Sequence, residues 1–262
     1  MSKADKRRLD IEILKRDLAS SRQRAQALIM SGKVLVNRQP FDKPGTLVTD
    51  DDEILIRRED MPYVSRGGLK LEAGLQTFGI TVEGKICLDV GASTGGFTDC
   101  LLQHGACKVF AVDVGYGQLA WKVRQNPRVV VVERTNIRYM PFETIGERVD
   151  LVTVDVSFIS LRHVVPAILQ FAKSGTVILA LIKPQFEVGK GRVGKGGVVR
   201  NPGLHNQVLD ELTAYFRRMS LSVDGVMPSP IFGPKGNKEF IACLRPGALR
   251  DGTQGDFTQS CA

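Results

Sequence analysis

The chain has no apolar run near the ~20 residues that span a bilayer. Its longest, residues 176–182, is the length of a strand. The basic N-terminus lacks the apolar segment of a secretory signal, so neither a signal peptide nor a membrane partner is expected. Histidine is scarce, at three residues. The five cysteines (Cys87, Cys100, Cys107, Cys243, Cys261) are odd in number and include no C-x-x-C pair. That argues against a disulfide framework and against a zinc site, so no metal is expected, and a reducing cytoplasm fits. No internal repeat is evident. The Gly-rich loop GASTGG (91–96) is not followed by Gly-Lys-Ser/Thr and lacks the G-x-G-x-x-G spacing, so it is neither a Walker A loop nor the dinucleotide fingerprint.

What is present is positive charge, unevenly placed. The 262 residues carry a net charge of +8; residues 1–43 hold eleven Lys/Arg against five Asp/Glu, and residues 183–200 hold five against one. Clustered positive charge suits a polyanion such as nucleic acid, although a solvated basic surface has the same composition. The length allows one large domain, or a medium domain beside a small one.

Residues 1–60 read as a compact α+β unit. Arg8-Leu9-Asp10 opens an amphipathic helix with Leu9, Ile11, Leu14 and Leu18 apolar. Ser20-Ser21 is expected to cap a second helix with Ala25, Leu28 and Ile29 apolar, and Gly32 to stop it. Short strands are expected at 34–36 and 53–56. Residues 61–68 (MPYVSRGG) read as a linker. From 69 to 245, strand-like runs at 85–90, 108–114, 128–133, 151–156 and 176–182 alternate with helix-like runs at 96–104, 117–125, 160–172 and 205–219. This alternation predicts an α/β fold with a parallel sheet covered on both faces. Runs at 223–228 and 238–244 have no helix between them and are expected as a hairpin at one sheet edge. The polar tail, 246–262, is expected to lack order.

The stretch LDVGASTGGFTDC (88–100) joins a strand to a helix through a loop whose glycines permit close backbone approach. In open α/β sheets ligands bind beyond the carboxyl ends of the strands. Asp89 lies two residues before Gly91. An acid there suits a cation better than a pyrophosphate, and a methionine-derived sulfonium ligand carries an ammonium group. The pattern Asp89-x-Gly91-x-Ser93-x-Gly95, with Gly96 following, resembles motif I of class I S-adenosylmethionine methyltransferases, with Ser93 where glycine is usual. Asp113 ends the next strand, placed to accept hydrogen bonds from ribose hydroxyls, and Asn136 follows the third strand, placed to flank an adenine. The plainer reading is that these acids merely cap strands.

Four charged residues fall beside other strand-like runs: Lys70, Asp155, Lys183 and Glu239. Buried charge is costly unless paired, so they form either an ion-pair network or an active site. A ribose 2′-hydroxyl is a weak acid and a poor nucleophile, and needs a base held in line. A lysine oriented by an acid can serve. None of the cysteines sits convincingly in a strand-end loop, as carbon-5 methylation requires. The Asn/Asp-Pro-Pro-aromatic motif of exocyclic amine methylation is absent, because the fourth strand continues DVSFIS.

RRLDIEIL, LASSRQRAQALIMSGKVLVN and VTDDDEILI within residues 6–58 resemble an S4 RNA-binding domain, and the remainder resembles the FtsJ-like methyltransferases. Together, over nearly all of residues 1–245, the chain resembles the TlyA family of ribosomal RNA 2′-O-methyltransferases, formerly called haemolysin A-like. The resemblance implies a Rossmann-like class I methyltransferase fold behind a small S4-like domain, with S-adenosylmethionine as cofactor. It also implies a Lys-Asp-Lys-Glu tetrad at Lys70, Asp155, Lys183 and Glu239, with Lys183 as base. Its implied substrate is a cytidine ribose in small-subunit (16S) rRNA, and in some members large-subunit (23S) rRNA. Lys6, Arg7, Arg8, Arg22, Arg24 and Lys33 become candidate phosphate contacts. The basic loop after Lys183 is expected to close over the RNA, or simply to be flexible. Two rivals remain. One is a cytolysin, as the older family name suggests, though neither a spanning segment nor an insertion hairpin supports it. The other is an RNA-binding assembly factor without catalysis.

Overall fold

The computed structural model describes residues 6–19, 21–30, 32–56, 61–189, 191–194 and 196–247. Ser20, expected as a cap, and the tail beyond residue 247 lie outside them, as does Cys261. The chain divides into two compact units, Met1–Met61 and Pro62–Ala262.

The first unit runs β1 (Arg7–Arg8), α1 (Leu9–Lys15), α2 (Arg22–Met30), β2 (Val34–Val36), β3 (Gln39–Phe41), β4 (Leu47–Val48) and β5 (Ile54–Ile56). Strands β3-β2-β5 form an antiparallel sheet, and β1 pairs with β4. The β2–β3 turn is tight because Asn37 and Arg38 both adopt positive φ, the conformation a two-residue hairpin loop requires. The core holds Leu9, Ile13, Ala25, Ile29, Val34, Val36, Val48 and Ile54. The expected face of α1 needs correction: Ile11, Leu14 and Leu18 are exposed. The inner face is Leu9 and Ile13, flanked by buried Asp10 and Glu12, which pair with arginines: Asp10 with Arg8 and Arg22, Glu12 with Arg16.

The second unit runs α3 (Gly67–Thr77), β6 (Ile86–Val90), α4 (Gly96–Gln103), β7 (Lys108–Val112), α5 (Trp121–Arg124), β8 (Val129–Val132), β9 (Val149–Val154), α6 (Leu161–Ile168), β10 (Ala172–Ile182), α7 (Pro184–Glu187), α8 (Pro202–Arg218), β11 (Leu221–Pro228) and β12 (Phe240–Pro246). Among the described residues it forms one seven-stranded sheet, ordered β11-β12-β10-β9-β6-β7-β8. The strands from β10 to β8 are parallel, and β12 and β11 run antiparallel as an edge hairpin. Strand alternation splits the core in two. Leu88, Val152, Ile178 and Ala242 face α6 and α8, whereas Cys87, Leu151, Leu179 and Ile241 face α3 and α4.

Residues 61–68 are not a free linker. Tyr63 is buried, and Gly67 and Gly68 are the first turn of α3. Gly67, Gly68 and Gly74 depress the intrinsic helicity of this segment and hide the helix from propensity; at Gly68 packing excludes a side chain, since a Cβ would lie 2.2 Å from the Tyr63 ring. The helix expected at 117–125 is only the single turn α5, since the preceding residues are drawn into a loop held by Gly117 N–H donating to Glu133. Part of the basic loop after Lys183 is ordered as α7. Farther along it, Val198 and Val199 are buried, and Asn237 holds that stretch through the Val199 N–H and the Gly197 carbonyl.

Candidate active site

Parallel strands β6, β7, β9 and β10 end at one rim, and antiparallel β12 begins there. Two adjoining cavities open at that rim, of about 450 Å³ and 290 Å³. Gly91, Ser93, Asp155 and Ser157 line both.

The larger cavity has a polar corner and an apolar wall. Asp113 stands at the corner, its carboxylate fixed by the Ser93 N–H (2.8 Å) and the Gly115 N–H (2.7 Å). Each oxygen keeps a lone pair for a further donor. The wall comprises Val114, Ile137, Val156, Phe158 and Ile159, with Asn136 beside it. Asn136 Oδ1 accepts from the Arg138 N–H and so caps a short 3₁₀ turn. Gly91 has φ +86°, and a Cβ there would lie 2.5 Å from the Asp155 carbonyl oxygen, so only glycine lets the two loops touch. Gly96 lines the smaller cavity; Gly95, with φ +95°, starts α4 and lines neither of the two.

Asp89 departs from expectation. Its neighbour Val90 lines the larger cavity, so alternation turns Asp89 toward α4. It is fully buried, with Thr98 Oγ1 donating to Oδ2 (2.6 Å) and Thr153 Oγ1 to Oδ1 (3.0 Å). It ties the first turn of α4 to β9 and does not line either cavity. Burial pushes its carboxyl up to about 7, against the two hydroxyl bonds.

Lys70, Asp155 and Lys183 line the smaller cavity together. Asp155 and Lys183 immediately follow β9 and β10, whereas Lys70 comes from α3 rather than from a loop ahead of a strand. Glu239 lies behind, just before β12, with its side chain fully buried. Lys70 Nζ donates to Glu239 Oε2 at 2.6 Å, and Lys183 Nζ approaches Asp155 Oδ1 at 2.6 Å. Both lysines are 8% exposed, so each ammonium is largely withdrawn from water yet paired.

Several rim residues were not singled out from the sequence. Lys183 Nζ also donates to Ser157 Oγ at 3.0 Å. Phe158 is 90% exposed at the larger cavity with its ring against Phe186, and Phe232 is 65% exposed at the smaller. A phenylalanine beside a single isoleucine in a short mixed segment, as in DVSFIS (155–160) and SPIFGP (229–234), gives no periodic signal; only the fold shows it facing solvent. Burial pushes the Cys87 and Cys100 thiols up to about 12 and Cys243 up to about 11. Cys107 precedes β7, at the sheet end away from this rim. No described cysteine is therefore placed to act as a nucleophile.

In the first unit the six candidate RNA contacts divide. Arg8 and Arg22 both pair with buried Asp10 at 3.0 Å, and Arg7 pairs with Asp50 at 3.0 Å. The Arg8 guanidinium, with Gln26 and Arg22, holds the Asp10 carboxyl well below the usual range. Lys33 is half-buried ahead of β2. Lys6 and Arg24 are exposed and have no ion pair among the described residues.

Residues 63–246 match the family described as FtsJ-like methyltransferase, and residues 7–54 match the S4 domain. The 16S/23S rRNA (cytidine-2′-O)-methyltransferase TlyA of Mycobacterium tuberculosis is 49% identical over 92% of this chain and 91% of its own. Hemolysin A of Brachyspira hyodysenteriae is 42% identical over 90% of this chain and 98% of its own. A solved Streptococcus thermophilus structure superposes with a TM-score of 0.74 at 42% identity, covering 97% of this chain and 92% of that one.

Proposed function

Since the chain belongs to the TlyA family, FtsJ-like methyltransferases with an S4 domain ahead of the catalytic one, we propose that it methylates a ribose 2′-hydroxyl of ribosomal RNA from S-adenosylmethionine. A cytidine is the proposed target, as in the name of the mycobacterial relative. The observation that carries this reading is the Lys183–Asp155 pair, in which Lys183 lines the smaller cavity and Asp155 lines both.

The residues present fit the cofactor. The Asp113 carboxylate is oriented by two backbone N–H groups to receive vicinal hydroxyls, an apolar wall suits a purine, and Gly91 keeps the floor free of a side chain. When bound, S-adenosylmethionine supplies an electrophilic methyl on a positively charged sulfur that departs as a neutral thioether. Lys183 first releases a proton to solvent; its neutral amine then receives the 2′-hydroxyl proton as the oxygen attacks, and Asp155 balances the ammonium that re-forms. Lys70, fixed by Glu239, holds the substrate strand against the same cavity. Exposed Phe158 and Phe232 offer faces on which unpaired bases stack. Basic residues of the S4 domain hold the RNA by its phosphates.

The reading is tested by methyl transfer from labelled S-adenosylmethionine to purified 30S and 50S subunits, with the label located by RNA fragment mass. Lys183→Ala should bind cofactor normally and lose roughly 10²–10⁴-fold in turnover. Label on a base, or near-normal turnover by the variant, would overturn the tetrad. No label on either subunit, with cofactor bound, would point to the assembly-factor alternative.

A further inference from the structure

Two groups hold Lys183, in different ways. Asp155 Oδ1 is 2.6 Å from Nζ, but this buried oxygen has no aligned hydrogen-bond donor. The contact is ionic, so it sets distance without setting direction. Ser157 Oγ accepts an aligned bond from Nζ at 3.0 Å, the one directional bond of the Lys183 side chain among the described residues. Direction matters here. An amine takes up a proton only along its lone pair, and misplacement by about 1 Å can cost roughly 100-fold in rate.

Ser157 is also held in place itself. It lines both cavities, so it stands where a cofactor methyl and a target hydroxyl would meet. The loop that carries it is clamped from the Lys183 side. Glu187, one turn beyond Lys183, accepts from Ser160 Oγ (2.6 Å) and from the Leu161 N–H (2.8 Å). The Phe158 and Phe186 rings meet 5.0 Å apart across the same junction. The two strand-end segments are therefore tied to each other, and the Lys183–Ser157 bond spans them.

We infer that Ser157 is a positioning residue of the methyl-transfer centre, whose hydroxyl fixes the rotation of the Lys183 amine so that its remaining tetrahedral direction faces the target 2′-hydroxyl. The inference rests on the functional reading above. In the step it serves, a lone pair on O2′ forms the bond to the methyl carbon. The methyl–sulfur bond breaks with its electrons going to sulfur, and the O2′ proton passes to the lone pair of Nζ, whose own proton has already gone to solvent.

The test uses the full chain with ribosomal subunits and labelled S-adenosylmethionine, comparing wild type, Ser157→Ala, Ser157→Thr, Lys183→Ala and the Ser157→Ala/Lys183→Ala double variant. Single-turnover rates are measured beside cofactor affinity and thermal midpoint. Ser157→Ala should lower the rate roughly 10- to 100-fold, with cofactor affinity and midpoint close to wild type. Ser157→Thr, which keeps the hydroxyl, should recover most of the rate. In the Lys183→Ala background, Ser157→Ala should cost nothing more, because it acts through that amine. A wild-type rate in Ser157→Ala, a loss explained by weaker cofactor binding, or a full further loss in the double variant would each overturn the inference while leaving the functional reading intact. Absence of transfer by wild type itself would instead remove the functional reading, and this inference with it.

Discussion

Asp89 shows how one position can satisfy a motif and still do different work. Its place before Gly91 marks the candidate cofactor loop, but the two-residue period of β6 sends its side chain to the opposite face of the sheet from Val90. There it is a buried brace between Thr98 and Thr153. Its folded pKa, about 7, stands above the unfolded value of roughly 3.9. Between those values the folded state binds more protons, so the contribution of Asp89 to stability is fullest at low pH and falls as pH rises toward 7. Asp89→Asn has no such dependence. The midpoint of the variant relative to wild type should therefore climb between pH 4 and pH 7 and level off above, as followed by calorimetry in matched buffers. A difference that stays flat across that range would show that Asp89 ionises freely in the fold.

At the scale of elements, α3 and α7 are the lesson. Both occupy glycine-rich or basic stretches that read as connection, and both carry or flank the candidate chemistry. Gly68, which weakens α3 intrinsically, is what allows the N-terminus of the helix to be reached by its neighbours. A Cβ on Gly68 would lie 2.2 Å from the Tyr63 ring, and one on Gly96, at the start of the neighbouring α4, 2.1 Å from Ser65 Oγ. Gly68→Ala should cost roughly 1–3 kcal/mol by overpacking. It should also lower methyl-transfer activity, because Lys70 sits two residues further along the helix. Chemical unfolding measures the first effect, and an unchanged midpoint would mean that the Tyr63 ring can swing aside. In α7, burial raises the Glu187 carboxyl while its bonds to Ser160 and Leu161 oppose that shift. This acid fastens the Lys183 segment to the loop bearing Asp155 and Ser157.

Over the whole molecule, charge and chemistry are divided between the two units. The first unit spends part of its positive charge internally, on Asp10, Glu12 and Asp50, and leaves Lys6 and Arg24 exposed. If these two contact RNA phosphates, the Lys6→Ala/Arg24→Ala variant should bind an rRNA fragment more weakly, with a salt slope reduced by about two, roughly one per lost phosphate contact. Its affinity for S-adenosylmethionine should not change. Salt titration of binding separates this from misfolding, which would alter both affinities. Among the described residues no helix is long and apolar enough to cross a membrane, and the seven-stranded sheet matches the alternation of runs read along the chain.

That alternation, the glycine loop after β6, the acid ending β7 and the edge hairpin were legible because each is local: a hydrophobic period or a short spacing encodes it. The four candidate tetrad residues could be grouped from sequence only in combination and by resemblance, since Lys70 and Glu239 lie 169 positions apart and meet at 2.6 Å. Tertiary structure alone decided that Asp89 turns inward, that residues 62–68 join a packed unit, that α1 buries acids beside Leu9 and Ile13, and that Ser157 bonds Lys183. The reason is common to all four. Which face of a strand or helix is buried, and which loops touch, depends on what packs against them from distant parts of the chain, and no local pattern carries that information.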